Sequence, residues 1–175
     1  MKADTSSEKT LFDFQTATTL PAWEVVNDDV MGGVSTSQFR RLRNGGAVFS
    51  GTVRLENNGG FASVRSTLVG ENLTGLAGFV LRVRGDGRHY KFSVRTGTGS
   101  DTPLYQCAFT TKHGEWEEHR LPFSDFVPTF RGRMLTDVPP LNTAKVTSAG
   151  FLIADKQDGP FRLEINWIKA SAVMR

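Results

Sequence analysis

Apolar and polar residues alternate with a period of two along most of the chain, and helical periodicity is nearly absent. Such alternation is typical of strands that bury one face in a core and expose the other to water. Glycine, asparagine, aspartate and proline separate the alternating segments. The sequence predicts nine or ten strands, at residues 11–14, 38–42, 47–55, 61–66, 79–84, 90–96, 104–110, 116–121, 150–154 and 161–167.

Glycine-containing turns divide neighbouring strands at residues 44–46, 85–87 and 112–114. Because Asn-Gly and Asp-Gly sequences suit tight hairpin turns, the first two turns predict that the strands on either side pair with each other. Residues 122–133 differ, since their two prolines argue against a central strand. We expect a long loop there, pinned to the core by its phenylalanines.

The pattern as a whole predicts an all-β fold, an antiparallel β-sandwich of the jelly-roll type. A chain of 175 residues suits one domain. At this length folding buries roughly 70% of the unfolded surface, so the core needs no covalent support. We expect a flexible polar lead-in at residues 1–10 and a single domain at residues 11–170.

Composition and charge narrow the class of protein. Cys107 is the single cysteine, which excludes an internal disulfide and fits a reducing compartment. The first ten residues lack the features of a signal or transit peptide, and no segment approaches the ~18 apolar residues of a membrane span. These features predict a soluble, cytoplasmic protein. A net charge of +3 without a basic, aromatic-rich run does not indicate a nucleic-acid partner.

Two polar, glycine-bearing loops hold the most distinctive side chains. The first carries Asn27 and Asp28, and the second carries Asn57 and Asn58, with Arg65 just beyond it. Amides and carboxylates can bind sugar hydroxyls, a partner's backbone or a calcium ion, although no EF-hand spacing is present. The same residues also form self-bonded turns between strands. Both interpretations stay open from the sequence.

The predicted hairpin around residues 85–87 places several cations on one outward face. Arg82 and Arg84 on its first strand would lie beside Lys91 and Arg95 on its second. Like charges facing each other across paired strands are destabilising. Either acidic residues of neighbouring strands neutralise them in a salt-bridge lattice, or the face docks an acidic partner. The excess of cations leads to the hypothesis of a docking face.

Catalytic patterns are missing from the sequence. The three histidines lack zinc-ligand spacing, and the adjacent Asp28 and Asp29 would point to opposite faces of an extended segment. Cys107 lies in a strand, where a small buried side chain is expected, although its pairing with a distant histidine stays open. We expect Trp23, Trp116 and Trp167 in the core. The sequence thus predicts a non-enzymatic protein without a cofactor or metal.

Five segments, in this order, resemble the complex I intermediate-associated protein 30 family: WEVVNDDVMGGVS, FSGTVRLENNGGFASVRS, LRVRGDGRHYKFSVRT, PFSDFVPTFRGR and ADKQDGPFRLEINWI. The resemblance covers residues 12–168. It implies a jelly roll similar to galactose-binding domains. The mitochondrial members of this family are assembly factors, or chaperones, for respiratory NADH:ubiquinone oxidoreductase.

The resemblance and the lack of catalytic patterns together predict a non-enzymatic protein-binding module, with respiratory complex I subunits or intermediates as partners. The alternative is a carbohydrate- or small-ligand-binding domain that uses the same loops. A concave groove with an exposed aromatic residue would favour the alternative, and a flat polar patch would favour protein docking. The expected binding residues are Asn27, Asp28, Asn57, Asn58, Arg65, Arg82, Arg84 and Arg95.

Overall fold

Two antiparallel β-sheets pack face to face in the computed structural model, which describes residues 7–16, 22–97 and 102–174. This arrangement confirms the predicted sandwich. The described strands are β1 Glu8–Asp13, β2 Trp23–Asn27, β3 Thr36–Arg41, β4 Ala47–Val53, β5 Ala62–Glu71, β6 Gly78–Arg84, β7 His89–Arg95, β8 Leu104–Thr110, β9 Trp116–Pro122, β10 Val127–Phe130, β11 Arg133–Met134, β12 Val146–Ile153 and β13 Gly159–Ser171.

The two sheets have separate strand orders. The front sheet runs β3-β4-β13-β6-β9, with β1 also paired to β13, and the back sheet runs β11-β10-β8-β7-β12-β5-β2. Between them lies one core, in which fully buried side chains include Phe49, Phe79, Phe92, Phe151 and Leu163. Phe79 of the front sheet and Phe92 of the back sheet meet edge to face, with ring centroids 5.0 Å apart.

One predicted strand pairing is wrong. The strands on either side of residues 85–87, β6 and β7, belong to different sheets, so they face each other across the core and do not form a hairpin. β8 and β9 likewise lie in different sheets. Alternation shows that one face of each strand is buried. It does not show which strand lies beside it in the same sheet, because the opposite sheet covers the buried face in either case. The predicted hairpin around residues 44–46 is confirmed, since β3 pairs with β4.

A bulge in β13 overturns the expected position of Trp167. Phe161, Leu163 and Ile165 point inward as predicted, but the register shifts between Ile165 and Trp167. Because a bulge adds one residue to a strand, the alternation changes phase, and Ile168 becomes the next buried residue. Trp167 therefore faces outward, where the ammonium of Lys169 lies 4.3 Å from its ring centroid.

Some strand limits differ from those predicted. β1 begins at Glu8, so the last residues of the expected lead-in pair with β13, and residues 1–6 lie outside the described residues. β2 was not predicted, because its alternation is short and one inward position is Asn27. β10 contains Pro128 despite the expectation of a loop. Its outer neighbour β11 has only two residues, so the backbone N–H that Pro128 lacks would have had little to pair with on that side.

Five connections leave the strands at the same end of the sandwich. They comprise residues 28–35, 54–61, 85–88, 111–115 and 154–158. The pairing registers place them together, since Ala62 at the start of β5 pairs with both the last residue of β2 and the last of β12. We call this the loop end. Both polar loops singled out from the sequence lie here.

Gly51 provides a test of the packing between β3 and β4. A Cβ at this position would overlap the Thr36 carbonyl oxygen and lie 2.6 Å from the Ser37 Cα. Because these are backbone atoms of the neighbouring strand, Gly51→Ala should lower the free energy of unfolding by about 2–3 kcal/mol in urea denaturation. Ser50→Ala, one residue earlier, is the control and should change it by less than about 0.5 kcal/mol. Equal effects would contradict this account.

Candidate functional site

The carboxylate of Asp28 joins the two polar loops of the loop end. Asp28 follows β2, is 0% exposed, and opens the short 3-10 turn Asp28–Met31. Its Oδ1 accepts a hydrogen bond from the Ser35 backbone N–H at 2.9 Å. Its Oδ2 accepts from the Ser35 hydroxyl at 2.6 Å and from the Gly60 N–H at 2.7 Å. One side chain therefore fixes the end of one loop and the end of the other.

Two glycines leave the space that this carboxylate occupies. A Cβ at Gly33 would lie 2.6 Å from Asp28 Oδ1, and one at Gly59 would lie 2.5 Å from Oδ2. Both distances are shorter than real Cβ contacts allow, so a larger residue would displace the carboxylate. Gly33 and Gly59 are thus needed for the packing of Asp28 and not only for the turns in which they lie.

The protonation of Asp28 follows from its hydrogen bonds. Burial by itself would raise the pKa of this carboxyl. Donors from Ser35, Gly60 and Phe61 outweigh the burial and hold the pKa below its ordinary value. Asp28 is therefore a buried, charged structural group, and its oxygens are occupied by the protein itself. Asn27 is also buried, and its side-chain oxygen accepts a hydrogen bond from Ser37 Oγ at 2.7 Å.

Asn57 and Asn58, in contrast, are exposed on the outside of the loop end. Both have left-handed backbone, with φ of 58° and 59°, and the Asn57 amide donates to the Gly32 carbonyl at 3.1 Å. Val34 and Leu55 are 44% and 41% exposed beside them. We call Val34, Leu55, Asn57 and Asn58 the loop-end surface. It combines exposed side-chain amides with apolar groups on backbone that Asp28 holds in place.

The predicted cationic face of Arg82, Arg84, Lys91 and Arg95 does not form. Arg82 and Arg84 lie on β6, on the outside of the front sheet, whereas Arg65 on β5 and Arg95 on β7 lie on the outside of the back sheet. The expectation of a single cationic face is wrong because β6 and β7 do not pair. The alternative of a salt-bridge lattice describes the front sheet, where Arg82 pairs with Glu118 at 3.9 Å.

A groove of about 370 Å³ lies on the outside of the front sheet. Glu164 lines the groove and accepts two hydrogen bonds from the Arg84 guanidinium, at 2.6 and 3.0 Å. The lining residues are Gln15, Asn44, Gly45, Arg82, Arg84, Trp116, Glu164 and Asn166. The hydrogen bond from Arg84 holds the pKa of Glu164 below its ordinary value, against the effect of burial.

Trp116 lies in this groove, which overturns its expected place in the core. Its side chain is half-buried, and the guanidinium carbons of Arg82 and Arg84 lie 5.5 and 5.1 Å from its ring centroid. Nearby, Asn166 Oδ1 is buried without a hydrogen-bond partner. The groove therefore presents an aromatic ring and fixed charges. Sequence alternation missed it because its residues come from five separate segments.

Other chemistry expected or considered from the sequence finds less support. Burial raises the pKa of the Cys107 thiol to about 11, so it is a poor nucleophile at neutral pH. In the described ranges, no three His, Cys, Asp or Glu side chains are grouped to hold a metal ion. Nor does any described helix have the length and apolar character needed to cross a membrane.

Comparison with known sequences assigns the family. The sequence model described as "Complex I intermediate-associated protein 30" matches residues 12–165. The chain belongs to this family. It is 29% identical to the protein of that name from Mus musculus over 91% of this chain and 55% of the mouse protein. It is 29% identical to the Drosophila melanogaster protein over 90% of this chain and 61% of the fly protein.

Two consequences follow from these members of the complex I intermediate-associated protein 30 family. The chain spans a little over half the length of the curated relatives it matches. The expected cytoplasmic location is wrong, since the mouse and fly relatives, and the one from Caenorhabditis elegans, are named mitochondrial. The early residues did not predict this, because they lack the arginines of a typical transit peptide.

Solved structures confirm the fold of this family member. A family 11 carbohydrate-binding module from Clostridium thermocellum, solved with a mixed-linked tetrasaccharide, superposes with a TM-score of 0.70 at 17% identity, over 96% of this chain and 97% of the module. A family 30 carbohydrate-binding module gives a TM-score of 0.61 at 12% identity, over 96% and 89%. At these identities the likeness concerns the jelly-roll architecture.

Asp28 gives a prediction with a defined pH dependence. Asp28→Asn places an N–H₂ group against backbone donors, so it should lower the free energy of unfolding at pH 7 by about 2–3 kcal/mol. Because the folded pKa of Asp28 is depressed, its contribution is fully present above the unfolded pKa and is lost as the pH falls through the folded one. The difference between variant and wild type should therefore shrink below about pH 4.

The neighbouring Asp29 supplies the control for this measurement. Asp29 is exposed, so Asp29→Asn should change the free energy of unfolding by less than about 0.5 kcal/mol. Urea denaturation from pH 3 to pH 8 would measure both variants. A difference for Asp28→Asn that stays constant down to pH 3 would contradict a charged Asp28 as the link between the loops.

Proposed function

We propose that this protein is a non-enzymatic protein-binding module that assists the assembly of respiratory complex I. The observation that carries the proposal is the family match over residues 12–165, together with relatives whose names state that they associate with complex I intermediates. A chaperone of this kind needs a stable scaffold and an exposed contact surface, and it needs no catalytic group. Those are the properties that the sandwich and its loop end combine.

The loop-end surface is the docking surface in this proposal. Exposed amides donate and accept hydrogen bonds with a partner's backbone, and the side chains of Val34 and Leu55 add apolar contact. Asp28 keeps both loops fixed through its buried hydrogen bonds, so little conformational freedom is lost on binding. Asn27 and Asp28 thus contribute by positioning the surface, whereas Asn57 and Asn58 contact the partner.

Affinity capture from the native cell with mass spectrometry tests this role. Asn57→Gly combined with Asn58→Gly removes both amides while keeping residues that tolerate the left-handed backbone. We expect wild-type protein to enrich NADH dehydrogenase subunits, and the double variant to lose that enrichment by about tenfold or more, as for the centre of an interface.

A matched control comes from another connection of the loop end. Asp155 and Lys156 also have positive φ, of 62° and 56°, and are exposed. Asp155→Gly with Lys156→Gly should leave the enrichment within about twofold of wild type. Capture that never contains complex I subunits would contradict the proposed function. Capture that is retained by the asparagine variant would contradict the loop-end surface as its docking site.

A second function, the binding of a saccharide, is favoured by the groove on the front sheet. Saccharides present vicinal hydroxyls and apolar ring faces, which pair with planar polar side chains and with aromatic rings. The groove supplies both, through Arg84, Glu164, Asn166 and the half-exposed ring of Trp116. It uses residues other than the loops expected from the sequence, so the two functions can be tested separately.

Glycan-array screening tests the second function. If the groove binds a saccharide, Trp116→Ala should weaken binding about tenfold or more, since it removes aromatic stacking of about 0.5–1.5 kcal/mol together with the apolar area that the ring buries. Trp167→Ala is the matched control, because this tryptophan also faces outward from the front sheet but does not line the groove. No binding to any glycan, or equal losses in both variants, would exclude a saccharide in the groove.

A further inference from the structure

Arg65 and Arg95 flank the strand β12 on the outside of the back sheet. Arg65 on β5 pairs with Gly150, and Arg95 on β7 pairs with Ser148, so the two arginines lie on opposite sides of β12 and two residues apart along it. From strand spacing and rise, their Cα atoms are about 12 Å apart. The surface between them consists of small residues, among which Ser93 is 7% exposed.

Few anions balance the cations of this surface. Lys91 pairs with Asp155 at 3.5 Å, and Arg65 pairs with Glu24 at 3.9 Å, between side chains that are 45% and 73% exposed. An exposed pair at that distance contributes little. Arg95 has no carboxylate within salt-bridge distance among the described residues. Within the described part of the chain, Arg95 is thus a cation without a paired carboxylate.

The surroundings of Arg95 are unfavourable for its charge in the isolated chain. Its Nε is buried and makes no hydrogen bond. Burial, followed by repulsion from Arg65, lowers the pKa of the guanidinium. Burying a charge without a hydrogen-bonded partner is destabilising, and placing it near a like charge adds to the effect. An oxyanion from outside the chain would offset both effects, because it supplies a hydrogen-bond acceptor and a negative charge between the two arginines.

We propose that Arg65 and Arg95 form a clamp for the carboxylates of an acidic segment of a partner protein. The inference rests on the proposed docking function and names the chemistry of the partner on this face. Guanidinium groups bind carboxylates with two parallel hydrogen bonds, and Arg95 has donors free to make them. The two Cα atoms lie about 12 Å apart across β12, a span that neighbouring carboxylates of an extended acidic segment can cover.

Binding of a fluorescein-labelled hexaglutamate peptide, followed by fluorescence anisotropy at low ionic strength, tests the clamp. Arg95→Met and Arg65→Met should each weaken binding about tenfold or more, since each removes one charged partner. Arg40→Met removes the same charge from an exposed position on the front sheet and should weaken binding less than about twofold. Equal losses in all three variants would indicate attraction by net charge and overturn the proposal.

Thermal unfolding separates binding from stability. Removing a half-buried, unpaired charge while keeping an apolar chain should raise the midpoint of isolated Arg95→Met by about 2–4 °C. A lower midpoint would mean that Arg95 supports the fold and would overturn the clamp. Displacement of the peptide by inorganic phosphate at equal ionic strength, with hexaglutamate no tighter than phosphate, would overturn the acidic segment as the occupant.

The clamp and the docking function fail in different ways. If wild-type protein captures complex I subunits but does not bind hexaglutamate, and Arg95→Met captures them equally well, the clamp is wrong and the proposed function stands. If hexaglutamate binds with the expected loss in both variants but no complex I subunit is captured, the clamp stands and its partner lies outside complex I.

Discussion

The buried carboxylate of Asp28 is the interaction on which the loop end depends. It stands where β2 ends, and its oxygens hold residues of two connections that would otherwise be joined only through their strands. Asp86 acts in a similar way at the same end. It accepts hydrogen bonds from the Tyr90 hydroxyl at 2.9 Å and from the Arg162 N–H at 2.7 Å, which links the β6–β7 connection to β13.

The buried Asp28 and the partly buried Asp86 thus connect loops at an end of the sandwich that has little regular secondary structure. Hydrogen bonds between a charged acceptor and backbone donors are stronger than those between neutral groups, so a few of them suffice. Asp28 therefore has most of the structural role between the two polar loops, and Asn57 adds one bond from its amide to the Gly32 carbonyl. This division explains how Asn57 and Asn58 keep unfavourable backbone angles while their neighbour Gly60 is fixed from inside.

The sequence predicted the fold class and the inward residues well, because alternation reports burial directly. Phe79, Leu81 and Val83 are all buried as expected. The sequence did not predict how β6 and β7 are arranged. Alternation shows which face of β6 is buried, and that face would be buried whether β7 lay beside β6 or in the opposite sheet. Trp167 was misplaced for a different reason, because one extra residue in β13 reverses every position after it.

The candidate site was predictable only in part, for related reasons. Asn57 and Asn58 are exposed in a loop whose composition marked it, and their roles remain to be tested. The burial of Asp28 was hidden, because a carboxylate in a turn is ordinarily exposed and only the donors of a distant loop reveal its place. The groove around Trp116 requires five segments to come together, and no local pattern encodes that.

The central position of β13 has a consequence for how the chain folds. This strand pairs with β1, β4 and β6, which are all synthesised earlier, and β4 and β6 do not pair with each other. The front sheet therefore cannot form on a nascent chain until residue 159 and those beyond it have left the ribosome. Until then the apolar faces of the earlier strands lack their partner, and contacts this distant in sequence form slowly. Formation of the front sheet thus depends on late residues of the chain.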